Sequence, residues 1–338
     1  MLAFLFKRLL SGFLVIWGIV TLLYIIFHLQ GNPAEMMVGE NSDAETKAAV
    51  ERAYHLDQPA FVQYLYYLND LSPLGLLDHN DPDLAAQSFV RLFPTSETGF
   101  IALKSPWLRR SFQSNKRVSE LLAEKLPGTA ILALSAMLLA CLLGIPLGVL
   151  SALKKEQWSD RLITFVTLLG ISAPSFFIAV IIIRIFAVNL GDWTQLNISG
   201  YMFEERIFEP GFNIHWKNLI LPAFALGVRP LSIITQLTRS SMIEVLSSDY
   251  IRTARAKGLK ERFIVFRHAL RNALNPVVTS ISGWFASLLA GAFFIETIFD
   301  WQGLGKLTID ALSANDYPVI LGAAILIGFI FVVINLLV

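Results

Sequence analysis

The segment QGLGKLT, Gln302–Thr308, comes nearest to a known chemical motif, because a lysine follows a glycine as it does in phosphate-binding loops. That motif needs a further glycine five positions before Gly305 and a serine or threonine directly after Lys306. Asp300 and Leu307 occupy those two positions. The segment therefore does not predict nucleotide hydrolysis by this chain.

No other cluster of reactive side chains replaces it. The single cysteine, Cys141, lies in an apolar run, which favours a small buried hydrophobic residue. The histidines are far apart in sequence and none has the spacing of a zinc-binding pair; they are His28, His55, His79, His215 and His268. We expect no enzyme activity, no metal and no cofactor. A net charge of +1 also argues against a nucleic-acid partner.

The stretch after Ser248 has a regular pattern of basic and apolar residues. DYIRTARAKG, Asp249–Gly258, predicts a short helix capped by Ser248 or Asp249 and ended by Gly258, since a helix terminus favours a left-handed glycine. After it, apolar residues recur at steps of four, three, four and three and predict the buried stripe of a second helix. The stripe is Leu259, Phe263, Phe266, Leu270 and Ala273; Lys260, Arg262, Arg267 and Arg271 lie mostly off it.

Two interpretations of this basic loop stay open from the residues alone. A basic amphipathic helix can rest on anionic lipid headgroups. The first piece, rich in small residues and bounded by Gly258, better suits a rigid knob inserted into a protein groove.

The elements that position this loop are membrane spans. The chain has 338 residues, 55% hydrophobic and only 16% charged, whereas soluble domains average about 25% charged residues. Segments of about 20 apolar residues predict transmembrane helices. We predict six: Leu9–Leu29, Pro127–Leu150, Leu162–Val188, Leu219–Leu237, Pro276–Ile298 and Pro318–Val338.

Lysines and arginines concentrate in the loops after the second and fourth spans, which predicts that these loops and the N-terminus are cytoplasmic. The sequence thus divides into an N-terminal anchor (1–29), an extracytoplasmic region with short helices (30–126) and a five-helix core (127–338) with the basic loop at 239–275. In the outer region we predict helices in SDAETKAAVERAY, from Ser42, and QPAFVQYLYYLNDL, from Gln58, followed by a loop-rich insertion from about Ser72 to Ser114.

Three residues in or near the spans are candidates for a pathway or gate: Ser172, Pro174 and Glu296. Interior prolines interrupt helices and favour a bundle that bends around a pathway. Arg184 is flanked by apolar residues on both sides. We interpret it as an anchor at the outer edge of its span rather than a substrate contact, because a long side chain can extend to the interface.

Nearly the whole chain resembles permease subunits of the peptide branch of ATP-binding-cassette importers, with dipeptide, oligopeptide and nickel members. Among the matching stretches are SAPSFF, LPAFALG, SSDYIRTARAKGL and RHALRNALNPVV. Arg252-Thr253-Ala254 stands where other importers have Glu-Ala-Ala, and Gly258 keeps the signature glycine. The resemblance implies an all-α, six-helix, MetI-like permease core of type I importers. It also implies a coupling helix that contacts the ATPase through these residues: Asp249, Tyr250, Arg252, Thr253, Ala254, Arg255, Ala256, Lys257 and Gly258.

The resemblance further implies a bacterial inner-membrane location and several partners: ATP-binding subunits, a second homologous permease, an extracytoplasmic binding protein and the lipid bilayer. The sequence departs from the family's pattern in three places. Gln302 replaces the proline of the family's Trp-Pro-Gly-Leu-Gly, which predicts a less rigid outer loop, and the outer segment around Leu76–Trp107 is longer than expected. The chain also ends at Val338 without the usual Asp-Pro-Arg tail, so we expect a truncated sequence.

The predicted function is a peptide importer permease, with a nickel or other small-solute importer as the alternative. An ion-coupled secondary transporter is the competitor from another class, although no internal repeat and no acidic residue in the middle of a span supports it. A membrane scaffold without a transport role is the third alternative, since it fits a basic helix that rests on lipid.

Overall fold

The computed structural model describes residues 2–29, 51, 56–79, 84, 87–95, 99–205 and 211–337, and this part of the chain is mainly helical. In our numbering the main helices are α1 (Leu2–Leu29), α2 (Ala60–Leu71), α3 (Val118–Leu153), α4 (Trp158–Ser172), α5 (Ser175–Ile182), α6 (Gly191–Thr194), α7 (Lys217–Leu246), α8 (Asp249–Ala256), α9 (Glu261–Phe263), α10 (Leu270–Gly291), α11 (Phe293–Ile298), α12 (Leu304–Ser313) and α13 (Tyr317–Leu337). Two π-helical turns, Ile183–Asn189 and Ile264–Ala269, continue α5 and α9.

Four helices among the described residues are long and apolar enough to cross a membrane: Phe6–Ile26 within α1, and the whole of α3, α7 and α13. They correspond to the first, second, fourth and sixth predicted spans. The pair formed by α4 and the segment Ser175–Asn189 adds a fifth if it is counted as one bent span. The span predicted at Pro276–Ile298 falls on α10 and α11 and stays a prediction.

The third predicted span, Leu162–Val188, is not one straight helix. Its two halves meet at a bend of 113° at Ala173-Pro174. Ala173 and Pro174 both have extended backbone, with ψ of 134° and 140°, and the residue before a proline disfavours the helical conformation. Proline alone does not force such a break, because Pro146 and Pro222 lie inside the continuous helices α3 and α7.

The outer region contains a sheet where we predicted loops, so that prediction was wrong. Strands β1 (Leu74–Asp78), β2 (Phe89–Pro94) and β3 (Gly99–Lys104) form an antiparallel sheet in the order β1-β3-β2. A second, two-stranded antiparallel pair joins β4 (Phe203–Glu205) to β5 (Phe212–Ile214). Exposed apolar residues on β1 and β2 obscured the alternation of apolar and polar residues that is typical of a strand.

The helix predicted to begin near Gln58 is confirmed as α2, with Pro59 at its N-cap position. The helix predicted from Ser42 lies outside the described residues, apart from Glu51.

Contacts divide the chain into two compact units. One comprises Met1–Glu124 with Asp310–Gly328, and the other comprises Lys125–Ile309 with Phe329–Val338. In the first unit, α2 packs on α1: the Tyr24 hydroxyl donates to the Ala60 carbonyl at 2.7 Å, and the hydroxyls of Thr21 and Tyr64 lie 2.6 Å apart. The buried Asp316 carboxylate accepts hydrogen bonds from the 111–113 segment.

The second unit has its main apolar core between α3, α5, α7, α10 and α11. Small residues let the helices approach closely, as is common in membrane bundles. A Cβ on Gly227 of α7, for example, would lie 2.8 Å from the Ala136 carbonyl oxygen of α3. A smaller apolar cluster joins the ends of α3 and α7 to the segment that contains α8 and the helix after it.

Candidate functional site

The predicted docking helix, α8, spans Asp249–Ala256 and is preceded by Ser248 in extended conformation. Neither predicted cap operates as expected, because no side chain caps the N-terminus. The Ser248 hydroxyl instead donates to the Val245 carbonyl at 2.6 Å. The preceding helix, α7, ends only two residues earlier. The Val245 carbonyl in its last turn therefore competes with the backbone N–H groups of α8 for the Ser248 hydroxyl.

The C-terminus of α8 is ended by Gly258, as predicted. Gly258 has φ of +74°, its N–H donates to the Arg255 carbonyl at 2.9 Å, and the Leu259 N–H donates to the Ala254 carbonyl at 3.3 Å. These two bonds form a Schellman motif, in which a left-handed residue satisfies the last carbonyls of a helix. Only glycine occupies this backbone conformation without steric cost.

The two faces of α8 differ sharply. Ile251 and Ala254 are buried in the cluster with Val149, Met242 and Ile264. The outward face is exposed and carries charge and hydrogen-bonding groups; it consists of Asp249, Tyr250, Arg252, Thr253, Arg255, Ala256 and Lys257. The structure thus places Ala254, one of the predicted contact residues, on the face that seats α8 against its own chain.

Side-chain bonds also hold α8 in place. The Asn272 amide on α10 donates to the Tyr250 hydroxyl at 2.8 Å. The Arg255 guanidinium donates to the Glu261 carboxylate at 2.7 Å, and this hydrogen bond lowers the pKa of Glu261. Since both side chains are substantially exposed, the pair orients α8 more than it stabilises it.

The helix after Gly258 corrects our predicted stripe. Between Glu261 and Ala273 its buried residues are Ile264, Val265, Ala269 and Ala273, and of the predicted stripe only Ala273 is buried. Phe263 and Phe266 are exposed by 43% and 63%. The sequence contains two apolar stripes on this helix, and periodicity alone does not tell which one faces the core.

A buried ion pair beside this cluster was missed by the sequence analysis. The Asp160 carboxylate, at the start of α4, accepts two hydrogen bonds from Arg239 on α7, at 2.7 and 2.8 Å. It also accepts bonds from the Ser151 hydroxyl and the Glu156 backbone N–H. Together these bonds join the ends of α3, α4 and α7. The only sequence signal is an acid two residues before an apolar segment, which is too common to be diagnostic.

Glu296, the predicted gate candidate, is fully buried. Its carboxylate accepts hydrogen bonds from the Thr129 hydroxyl at 2.6 Å, from the Lys306 backbone N–H at 3.0 Å and from the Gly305 N–H. The last two donors lie at the N-terminus of α12, where a negative charge is favourable. The glycine-rich segment that resembles a phosphate loop thus binds a carboxylate of its own chain.

The loop before α12 is held firmly at its other residues. The Trp301 indole N–H donates to the Gly128 carbonyl at 2.9 Å, and the Lys125 ammonium donates to the Gln302 side-chain oxygen at 2.9 Å. A Cβ on Gly128 would lie 2.0 Å from the Gln302 carbonyl oxygen. The predicted loss of rigidity at Gln302 is therefore offset by a side-chain bond that proline lacks.

The other two gate candidates, Ser172 and Pro174, lie on both sides of the bend between α4 and α5 and are exposed. Rings of Phe176 on α5 and Phe294 on α11 are 6.2 Å apart, so the bend and α11 are neighbours. The Glu296 bonds nevertheless run to Thr129 and α12. Arg184 is exposed in the π-helical turn after α5, and its role as an anchor stays a prediction.

Among the described residues, no group of three or more histidine, cysteine, aspartate or glutamate side chains is arranged to hold a metal ion.

Comparison with known families gives two matches. The model described as "Binding-protein-dependent transport system inner membrane component" matches residues 144–338, and the model of the corresponding N-terminal region matches residues 1–79.

Individual proteins match along the whole chain. A dipeptide transport system permease protein of Alkalihalophilus pseudofirmus is 35% identical, with 100% of this chain and 96% of that protein covered. An oligopeptide transport system permease protein of Bacillus subtilis is 36% identical with the same coverage. A glutathione transport system permease protein of Salmonella typhimurium is 33% identical, with 100% and 95% covered. A solved inward-facing methionine ABC transporter aligns with a TM-score of 0.47 at 17% identity, over 64% of this chain and 94% of that one.

Proposed function

Because this chain belongs to the family of binding-protein-dependent transport system inner membrane components, we propose that it is the membrane-spanning permease subunit of an ATP-driven importer of peptides. Dipeptide, oligopeptide and glutathione permeases are its relatives over the full length, which supports a peptide as substrate. The described spans and the apolar core of the second unit supply the membrane part of such a pathway.

The partners follow from the family. ATP-binding subunits on the cytoplasmic side hydrolyse ATP, a second permease subunit completes the pathway, and an extracytoplasmic binding protein delivers the substrate. This chain contributes no catalytic residue of its own. We further propose a bacterial inner-membrane location with the N-terminus in the cytoplasm, because lysines and arginines concentrate in the loops around α8 and between α3 and α4.

The observation that carries the proposal is the two-sided construction of α8. Ile251 and Ala254 are buried in a cluster that includes the ends of α3 and α7, while the opposite face presents polar and charged groups outward. A helix seated in this way moves as one body with the spans that carry it. When ATP draws the ATPase subunits together, α8 transmits their displacement to the bundle and alternates access to the pathway.

The strength of the contact with the ATPase comes from shape more than from charge. Exposed ion pairs contribute only about 0–1 kcal/mol each. Small residues and the abrupt end at Gly258 make α8 a compact knob, and Arg252, Arg255 and Lys257 set its orientation in the partner's groove.

Replacing Gly258 with valine is expected to uncouple ATP hydrolysis from uptake while the protein stays in the membrane. A non-glycine residue in the left-handed region costs roughly 1–2 kcal/mol, which corresponds to about a tenfold change in an equilibrium. The measurements are peptide uptake, ATPase activity and the amount of permease in the membrane. A Cβ at this position meets no atom within 4 Å, so the backbone, not crowding, is what changes.

The matched control is Gly191→Val, because a Cβ there also meets nothing within 4 Å. We expect normal uptake from this control. Co-purification gives the second test: the ATPase subunit should be retained by the wild type and lost when Thr253 and Ala256, two small residues of the outward face, are replaced together by tryptophan. Normal transport by Gly258→Val, or an ATPase that stays bound to the Thr253→Trp/Ala256→Trp variant, would contradict the assignment of α8.

A further inference from the structure

The helix that follows Gly258 has an outward face with exposed aromatic residues. Phe263 and Phe266 lie on it, exposed by 43% and 63%. The next turns continue it with Leu270 and Leu274, which are half-buried because each also packs against an apolar cluster of its own chain. Together with neighbouring cations these side chains line an open groove of about 790 Å³. We call it the basic groove; its residues are Lys260, Arg262, Phe263, Phe266, Arg267, Leu270, Arg271 and Leu274.

The groove has four cations without a described carboxylate partner. The ion pairs nearby belong to other residues: Arg252 with Asp249 and Arg255 with Glu261. Arg267 instead lies over the Phe263 ring, 5.4 Å from its centroid. Four cations along fifteen residues of one face repel one another, so an anion bound among them lowers their free energy.

Apolar and cationic side chains alternate along this face at helical spacing. Positions 263, 266, 270 and 274 are apolar, and positions 262, 267 and 271 carry charge. A free phosphate ion would use the cations and leave the phenylalanines in water. An amphiphilic anion satisfies both, because its head meets the arginines while its hydrocarbon covers the apolar residues.

We propose that the basic groove binds an anionic phospholipid of the cytoplasmic leaflet. Arg267 and Arg271, one helical turn apart, receive the phosphate, and the acyl chains run along Phe266, Leu270 and Leu274. The groove ends two residues before Pro276, where the fifth span is predicted to enter the membrane, and that prediction places the groove at headgroup depth. This inference rests on the proposed cytoplasmic orientation of the loop and on that predicted span. It assigns the two halves of the loop to different partners, α8 to protein and the basic groove to lipid.

The test measures lipid retained by the assembled transporter, purified in mild detergent with equal amounts of phosphatidylglycerol and phosphatidylcholine. The wild type should retain phosphatidylglycerol preferentially by mass spectrometry. The double variant Arg267→Gln/Arg271→Gln should lower that preference about tenfold or more, because each basic residue near an anionic headgroup contributes on the order of a fivefold change in binding. The control variant Lys154→Gln/Lys155→Gln removes the same charge from the other basic loop and should keep the preference.

Several results would overturn the proposal. They are equal retention of both lipids by the wild type, an unchanged preference in the Arg267→Gln/Arg271→Gln variant, or displacement of the lipid by glycerol phosphate, which would indicate a site for phosphate alone. In a Cys141→Ser background, a cross-link from Phe266→Cys to another permease or an ATPase subunit would assign the groove to protein. Co-purification of the ATPase is measured separately and tests the proposed function through α8. A failed lipid test would therefore contradict the lipid site alone.

Discussion

Replacing Asp160 with alanine is expected to lower the free energy of unfolding by about 3 kcal/mol, because the change leaves the Arg239 guanidinium partly buried without its carboxylate. Asp160 is the acceptor of four hydrogen bonds that join the ends of α3, α4 and α7. The Asp160 side chain is 4% exposed and that of Arg239 is 25% exposed. We therefore expect a loss at the lower end of the range of roughly 3–5 kcal/mol for breaking a buried ion pair. Thermal unfolding in detergent should show a midpoint lower by roughly 4 °C.

Two further variants make this prediction specific. Glu120→Ala removes the acid of an exposed pair with Arg117, whose closest atoms are 3.7 Å apart, and should change stability by less than about 1 kcal/mol. The double variant Asp160→Leu/Arg239→Met removes both charges and should recover part of the loss, since replacing a buried pair by apolar residues is often nearly neutral. An Asp160→Ala protein as stable as the wild type would show that Arg239 does not depend on this carboxylate.

Replacing Glu296 with alanine is expected to cost about 3 kcal/mol as well and to loosen the segment before α12. The Thr129 hydroxyl and the N–H groups of Gly305 and Lys306 lose their common acceptor, and an unsatisfied buried group costs about 1–3 kcal/mol. Glu296→Gln keeps one acceptor oxygen and should lose less. Thermal unfolding gives the size of both effects, and uptake with competing peptides tests whether substrate preference changes.

The same contact can be disturbed from its other side. A Cβ on Gly303 would lie 2.4 Å from the Glu296 carboxylate, so Gly303→Ala should resemble Glu296→Ala. Gly283→Ala is the matched control, because its Cβ meets no atom within 4 Å and alanine favours the helix. A changed substrate preference in Glu296→Gln with unchanged stability would restore the interpretation of Glu296 as a gate residue.

Four membrane spans, the break at Gly258 and the family could be predicted because each depends on local or additive properties. Hydropathy summed over about 20 residues decides whether a helix enters lipid, and four predicted spans coincide with described helices. A left-handed backbone favours glycine whatever surrounds it. Gly258 was therefore enough to predict the end of α8. The order of residues around Arg252-Thr253-Ala254 then identified the family.

Burial of particular faces was decided only by tertiary structure. The helix after Gly258 carries two apolar stripes, and the side that packs against Val149 and Met242 is the one with Ile264 and Ala269. The predicted stripe lies largely on the other side, in the basic groove. Ala254 could not be predicted as buried either, because the residues that cover it, such as Val149 and Met242, are distant in sequence.

The polar networks were equally invisible in the sequence, because their members are far apart along it. Asp160 and Arg239 are separated by 79 positions, and Thr129 and Glu296 by 167. The glycine-rich loop shows the contrast most clearly. Its residues lack the phosphate-loop pattern, whereas only the packing of α3 against α11 decided which group it binds. That packing buries Glu296 where the Thr129 hydroxyl and the N–H groups of α12 donate to its carboxylate.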